Sequence, residues 1–411
     1  MDLSNSRLNA LSADADAGAI DRMAARWIRK ALSQAEDLNL LVELPSGYRF
    51  MAARRSTSPL IEWRLNSWNA LLRVAVSGPL GFAEGYINDE WESDSLSALM
   101  TKLAGALDQT SLAQAKAGPS RLLARLRHLR NANSRRGSRR NISFHYDLGN
   151  AFYSEWLDPS MTYSSALFEE FDEDLQQAQD RKYRRICEQL QLKPGQHVLE
   201  IGCGWGGFAE VAARDFGCRV TGVTLSQEQL DFARDRMHRL GLDDQVDLRL
   251  QDYRDIEESF DAVASIEMFE AVGAEHWDAY FDKLDQVMKP GARASLQVIT
   301  IRDRDFDGYL KSVDFIQKYV FPGGMLPTNN HLHELGEKYA LKPINTHLFG
   351  RSYAETLRRW HDSYTEARPR IEPMGFDHRF DRIWRFYLAY CEAGFDTDRI
   401  DVGQFTFVKP D

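Results

Sequence analysis

Cysteine is scarce: 411 residues contain four, Cys187, Cys203, Cys218 and Cys391, with no C-x-x-C pair among them. This spacing excludes a disulfide framework and a thiolate metal site, and it suits reduced thiols in a cytoplasm. No run approaches the ~18–20 uninterrupted apolar residues that a bilayer span needs. The first twenty residues are rich in Ala, Ser and Asp and lack both the basic start and the apolar core of a secretory signal. A positive net charge is absent as well. The 51 Lys+Arg against 61 Asp+Glu give 51 − 61 = −10, which argues against a general nucleic-acid binder. What remains is globular composition, 43% hydrophobic and 27% charged, over a length that calls for two or three domains.

Residues 1–17 read as a frayed terminus. Met23, Trp27, Ile28 and Leu32 fall at helical spacing within 21–41. Two extended runs, 40–44 and 48–52, flank Pro45-Ser46-Gly47, a hairpin turn by its chemistry. Helical texture returns over 68–76 and 96–107, so residues 1–118 are expected to form a small, mostly helical domain. Between Arg121 and Arg140 there are then eight arginines and no acid. Leu122, Leu126 and Leu129 could place the first half of that stretch on an amphipathic helix. A solvated linker over 119–141, an anionic-lipid contact and a nucleic-acid contact all remain open, although the aromatic interleaving of a single-strand platform is missing.

From residue 181 the pattern alternates. Helical runs at 181–192, 208–216, 228–240 and 276–288 separate short apolar strands at 198–201, 219–225, 246–250, 260–265 and 294–299. Gly241 stands where a helix C-cap glycine belongs. This rhythm predicts an α/β fold, a mainly parallel sheet with helices on both faces, over 142–411.

Directly after the first of these strands comes Glu200-Ile201-Gly202-Cys203-Gly204-Trp205-Gly206-Gly207. Gly202, Gly204 and Gly207 satisfy the dinucleotide pattern G-x-G-x-x-G, which alone is weak. A dinucleotide site also wants an acid about 20 residues on, and the second strand ends Val223-Thr224-Leu225-Ser226 without one. The alternative pattern, acid-x-Gly-x-Gly-x-Gly with Glu200, Gly202, Gly204 and Gly206, suits S-adenosylmethionine, whose cationic aminoacyl end a carboxylate can face. Asp252 and Tyr253, after the third strand, suit an acceptor for the adenine amino group and a cover for its ring.

Several further motifs occur in order. They are Phe144-His145-Tyr146-Asp147-Leu148-Gly149-Asn150, Asp158-Pro159 through Ser165, Thr224-Leu225-Ser226 with Gln229, Gln251-Asp252-Tyr253-Arg254, Met268-Phe269-Glu270 and Tyr319 through Gly324. Together with the glycine loop they resemble the cyclopropane-fatty-acid synthase family over about residues 142–411. The resemblance implies a class I methyltransferase sheet with a lipid-binding N-terminal domain. It implies S-adenosylmethionine held by Tyr163, Ser164, Gly202, Gly204, Gln229 and Asp252, with Thr224 beside them. The substrate it implies is the cis double bond of an acyl chain esterified in a membrane phospholipid. A cytoplasmic enzyme at the inner leaflet, and a homodimer, are further expectations from the family.

An alkene that attacks a methyl sulfonium leaves a carbocation, which the site must shield from water and stabilise. Phe144, Tyr163, Phe269, Tyr319, Phe321 and Tyr353 are the aromatic candidates. By resemblance, ring-forming members hold a bicarbonate with Cys, Glu, His and Tyr, and the matching positions here are Ser165, Glu270, Gln297 and Tyr353. Two depart: Ser165 replaces the thiol and Gln297 the imidazole. A hydroxyl and an amide still donate hydrogen bonds, but the one group able to be cationic near neutral pH is gone. A bicarbonate would be held less firmly, which makes Glu270 the expected base, with Glu267 in reserve. A methyl-branched or methylene product is then expected ahead of a cyclopropane. A nicotinamide oxidoreductase, a small-molecule methyltransferase and a non-catalytic lipid-binding module are the rival functions.

Overall fold

The computed structural model describes residues 17–33, 38–54, 59–108 and 148–411. The Arg-rich stretch, Phe144 and residues 1–16 of the expected frayed terminus lie outside these residues. Two compact units are present. Among the described residues, the first holds those up to Asp108 together with Phe376–Thr397, and the second holds those from Leu148 to Gly375 together with Asp398–Asp411.

In the first unit the hairpin is formed by β1 (Asn39–Glu43) and β2 (Arg49–Arg54), which are antiparallel. Gly47 closes the turn at φ +85°, a value glycine adopts without steric cost. Two strands the sequence did not predict, β3 (Ile61–Leu65) and β4 (Trp91–Ser93), extend it to a sheet of order β2-β1-β3-β4. Helices Ala19–Ala31, Asn69–Ile87 and Leu96–Asp108 accompany it. The helix Asn69–Ile87 kinks at Gly78 (φ 57°, ψ −133°), before Pro79, because proline lacks the N–H of the helical ladder and disfavours helical backbone before it.

The expected boundary at residue 142 does not fully describe the chain: helix His378–Asp396 belongs to the first unit. The reason is a buried clamp. Arg382 donates from Nε to the Tyr86 carbonyl at 2.5 Å and from Nη2 to the Trp91 carbonyl at 2.9 Å. Its guanidinium carbon lies 3.7 Å from the centroid of the Tyr86 ring, a cation–π geometry. One turn on, Phe386 joins the ring cluster of Phe82, Tyr86 and Trp91.

The second unit is built on seven strands: β5 (His197–Ile201), β6 (Arg219–Thr224), β7 (Val246–Leu250), β8 (Phe260–Ile266), β9 (Met288–Ile301), β10 (Lys342–Leu348) and β11 (Ile400–Val408). Their order is β10-β11-β9-β8-β5-β6-β7, and β11 runs against its two neighbours. All five strands expected from the alternating pattern are present. Helices Leu175–Gln189, Gly207–Arg214 and Gln227–Leu240 contribute to one apolar layer, and Trp277–Val287 to the other. The chain builds outward from β5 to β7, then returns to β8 on the other side. Such a reversal opens a crevice at the carboxyl ends of the strands, where ligands bind in sheets of this kind.

Candidate active site

Glu200 lies near the carboxyl end of β5, and the glycine turn leads from there into helix Gly207–Arg214. Gly202 and Gly206 have φ of +86° and +84°. The conformation disfavours a side chain at both, and a Cβ would stand 3.0 Å from Met268 Cγ at Gly202 and 3.1 Å from Met237 Cε at Gly206, so those methionines would have to give way. At Gly204 nothing lies within 4 Å of the corresponding Cβ position, which leaves room for close approach. Glu200 is buried, burial drives its carboxyl well above the usual carboxylate range, and its Oε2 has no hydrogen-bond partner. An orphaned buried acceptor beside an open glycine turn fits a ligand that brings a cationic donor, as the aminoacyl end of S-adenosylmethionine does.

Around the crevice, the Thr224 hydroxyl at the end of β6 donates to Gln229 Oε1 at 3.0 Å. The Ser226 hydroxyl caps the following helix by accepting from the Gln229 N–H at 3.3 Å. Asp252 differs from its simplest expectation. Its two oxygens accept from Arg254 Nε and Nη2 at 2.8 and 2.6 Å. The Arg254 N–H adds a third bond, to Oδ1 at 3.1 Å, so this pairing orients Asp252 just after the end of β7. The Tyr253 ring meets Tyr280 edge-on at 5.2 Å.

Tyr163 belongs to an aromatic wall that sequence reasoning largely missed. Its ring centroid is 5.3 Å from Tyr153, 5.7 Å from Trp156 and 5.2 Å from Trp360. Trp205, from the glycine turn, packs 5.1 Å from Tyr153, and Tyr353 packs 6.1 Å from Trp360. Of the six expected aromatics, Tyr163 and Tyr353 therefore stand in this wall. Phe269 is core instead, stacked 5.7 Å from Trp277, and Tyr319 packs on Phe315. The available signal for the missed rings was the aromatic spacing Phe152-Tyr153…Trp156 and Tyr353…Trp360…Tyr364, which also marks any buried helix face.

The four residues matched to the anion-binding set do not converge on Glu270. Three of them converge on Glu267. Its Oε1 accepts from the Ser165 N–H at 2.8 Å and from Gln297 Nε2 at 2.9 Å, and its Oε2 accepts from the Tyr353 hydroxyl at 2.7 Å. Ser165 contributes its backbone, because its hydroxyl donates to the Ala166 carbonyl at 2.9 Å. The sheet makes this meeting possible. β8 pairs with β9 through Ile266 opposite Gln297, and β9 pairs with β11 through Gln297 opposite Gln404. Gln404 Nε2 donates to Gln297 Oε1 at 3.2 Å, which turns the Gln297 amide so that its N–H faces Glu267.

Burial raises the Glu267 carboxyl above its ordinary value, while Lys182, Tyr353, Gln297 and Ser165 pull it back. Glu270 accepts from the Ile299 N–H at 2.5 Å through Oε1, whereas its buried Oε2 has no partner. Burial first, and the Glu267 charge second, push its carboxyl up to about 8. Glu270 therefore keeps its proton at neutral pH, and Glu267 is the carboxylate supplied with donors. Fully buried Lys182 donates to Ser164 Oγ at 2.6 Å, and desolvation lowers its ammonium to about 7 against the pull of Glu267.

These donors are already engaged, so the residues do not fit a bicarbonate placed among Ser165, Glu270, Gln297 and Tyr353. Among the described residues no cluster of His, Cys, Asp and Glu suited to a metal is present, and no helix is long and apolar enough to cross a membrane.

The family described as mycolic acid cyclopropane synthetase matches residues 133–405. The chain is 37% identical over 353 residues to a tuberculostearic acid methyltransferase, UfaA1, of Mycobacterium tuberculosis, covering 82% of this chain and 80% of the relative. It is 37% identical over 338 residues to the cyclopropane-fatty-acyl-phospholipid synthase of Escherichia coli K12, covering 82% of this chain and 85% of that one. The crystal structure of the mycolic acid cyclopropane synthase CmaA1, complexed with SAH and CTAB, superposes at a TM-score of 0.62 with 29% identity. It covers 66% of this chain and 98% of that one. This chain belongs to the mycolic acid cyclopropane synthetase family, on a class I methyltransferase fold.

Proposed function

We propose that this protein is an S-adenosylmethionine-dependent C-methyltransferase acting on the cis double bond of unsaturated phospholipid acyl chains. Its product is proposed to be a methyl-branched or methylene-bearing chain ahead of a cyclopropane. One observation carries this reading. Tyr353 joins a half-buried carboxylate to an aromatic wall, with its hydroxyl 2.7 Å from Glu267 and its ring 6.1 Å from Trp360.

S-adenosylmethionine, when bound, supplies an electrophilic methyl: the π bond forms the new C–C bond, the C–S pair stays on sulfur, and a carbocation is left on the neighbouring carbon. The protein's share is to bind, shield and deprotonate. Glu200, Ser164, Thr224 and Gln229 are proposed to hold the donor against the glycine turn. The faces of Tyr163 and Tyr353 stabilise a desolvated cation, at ~2 kcal/mol or more for a good contact, with fully buried Trp360 packed against both rings. A carboxylate then accepts a proton. Loss from the transferred methyl closes a ring, and loss from an adjacent chain carbon leaves an olefin with a branch. Identity to the two named relatives is the same, 37%, and so favours neither outcome. The replacement of a thiol and an imidazole by Ser165 and Gln297 favours the branched one.

The substrate lies in a bilayer, and residues 121–140, with eight arginines and no acid, suit docking on an anionic inner leaflet. The experiment that tests the function is incubation with labelled S-adenosylmethionine and a cis-unsaturated phospholipid, then mass analysis with double-bond localisation. A methylated acyl chain retaining unsaturation is expected. A saturated ring in nearly all product would refute the preferred outcome, and no methylated lipid at all would refute the reaction.

A further inference from the structure

Glu267 stands in a backbone conformation that its side chain disfavours. It is not glycine, yet its φ is +52°, at the first position after β8. Left-handed backbone costs a residue with a Cβ about 1–2 kcal/mol, and such strain persists where the surroundings over-determine it. Here the surroundings are three donors from three separate segments: the Ser165 N–H, the Gln297 amide on β9 and the Tyr353 hydroxyl on helix Gly350–Ile371. The Glu267 N–H is fixed as well, donating to the Gln297 carbonyl at 2.8 Å. The next residue, Met268, is the one that would crowd a Cβ at Gly202 on the glycine turn. Ser164, adjoining Ser165, takes the buried ammonium of Lys182.

We infer that the Glu267 carboxylate is an anion built into a donor pocket, and that it is the base for the carbocation, a role no free ion need fill. The inference rests on the acyl methyl transfer proposed above. The step balances simply. One carboxylate oxygen takes the proton, the C–H pair becomes the new C=C or ring bond, and the carboxyl later releases the proton to solvent. Glu270 is poorly suited to this role, because the structure gives it one backbone donor where Glu267 has three, and a protonated acid cannot accept.

The pocket makes a decisive test possible. Glu267→Gly relieves the backbone strain, removes the carboxylate and leaves the three donors facing vacated space, so small carboxylates should enter. Glu267→Gln keeps the volume and removes the charge. Both variants are assayed in full-length protein for methylated acyl product and for S-adenosylhomocysteine affinity by calorimetry. Melting temperature is followed with formate, acetate or bicarbonate added. We expect both variants to lose about 100-fold or more in turnover while cofactor-product affinity stays within about threefold. Formate or acetate should raise the melting temperature of Glu267→Gly, but not of the unmutated protein, and should restore part of its turnover.

Turnover above about a third of the unmutated rate in either variant would overturn the assignment of the base. Intact folding and cofactor-product binding with no stabilisation and no rescue by any of the three anions would overturn the pocket. An unmutated enzyme that makes no methylated lipid would instead overturn the reaction, and the melting temperatures would still decide whether the pocket takes anions.

Discussion

The Tyr353 hydroxyl donates to Glu267 Oε2 at 2.7 Å across 86 residues of sequence, and through this bond the aromatic wall and the half-buried carboxylate form one site. The bond favours the ionised form of Glu267, in company with Lys182, Gln297 and the Ser165 N–H, and against burial. Tyr353→Phe removes that favour, so the Glu267 carboxyl should rise further. The acidic limb of the pH–rate profile should then move to higher pH, with a loss of about 10–100-fold in turnover at neutral pH. S-adenosylhomocysteine affinity should be unchanged. An unmoved acidic limb would show that Glu267 does not set it.

Glu270 makes stability depend on pH. Its folded carboxyl titrates near 8, above its ordinary value. The stability it allows is full below the unfolded value and is lost as pH rises through the folded one, since the unfolded chain ionises first. Glu270→Gln removes the dependence. The variant should therefore gain on the unmutated protein between about pH 5 and pH 8, reaching on the order of 2–5 kcal/mol. Chemical denaturation across that range checks it, and a constant difference would contradict the burial argument.

Gly206→Ala meets both obstacles at once, a φ of +84° and a Met237 methyl 3.1 Å from the new Cβ. Strain of about 1–2 kcal/mol in the turn corresponds to roughly tenfold weaker binding of S-adenosylhomocysteine where the turn must relax to bind. Calorimetry reads this directly. Full affinity would mean that the turn does not contact the ligand.

Arg382→Met in the first unit removes one of two donors to the Tyr86 carbonyl, which keeps the Asp89 N–H, removes the side-chain donor to the Trp91 carbonyl, and takes away a cation 3.7 Å above a ring. A loss of about 2–4 kcal/mol in unfolding free energy is expected. Denaturant titration tests it, and a change under about 0.5 kcal/mol would remove the clamp from the account.

Neutralising four or more of the eight arginines between 121 and 140 should weaken binding to anionic vesicles, and added salt should do the same to the unmutated protein. Unchanged co-sedimentation with vesicles would return that stretch to a linker.

The sequence by itself determined the alternating architecture from β5 to β9, because short apolar runs and helical periodicity are local signals. It also determined the glycine turn, whose backbone demands only glycine meets, and the hairpin at Gly47. The strands β10 and β11 and the assignment of helix His378–Asp396 were not legible, since partners distant in the chain decide them: β9 for β11, and Tyr86 and Trp91 for Arg382. The same limit applied at the site. The sequence contained Ser165, Glu267, Glu270, Gln297 and Tyr353 as separate residues, and the family resemblance put Glu270 first. Only the tertiary structure decided that the donors face Glu267, because that depends on strand register and on a left-handed residue at the end of β8, and no local pattern encodes either.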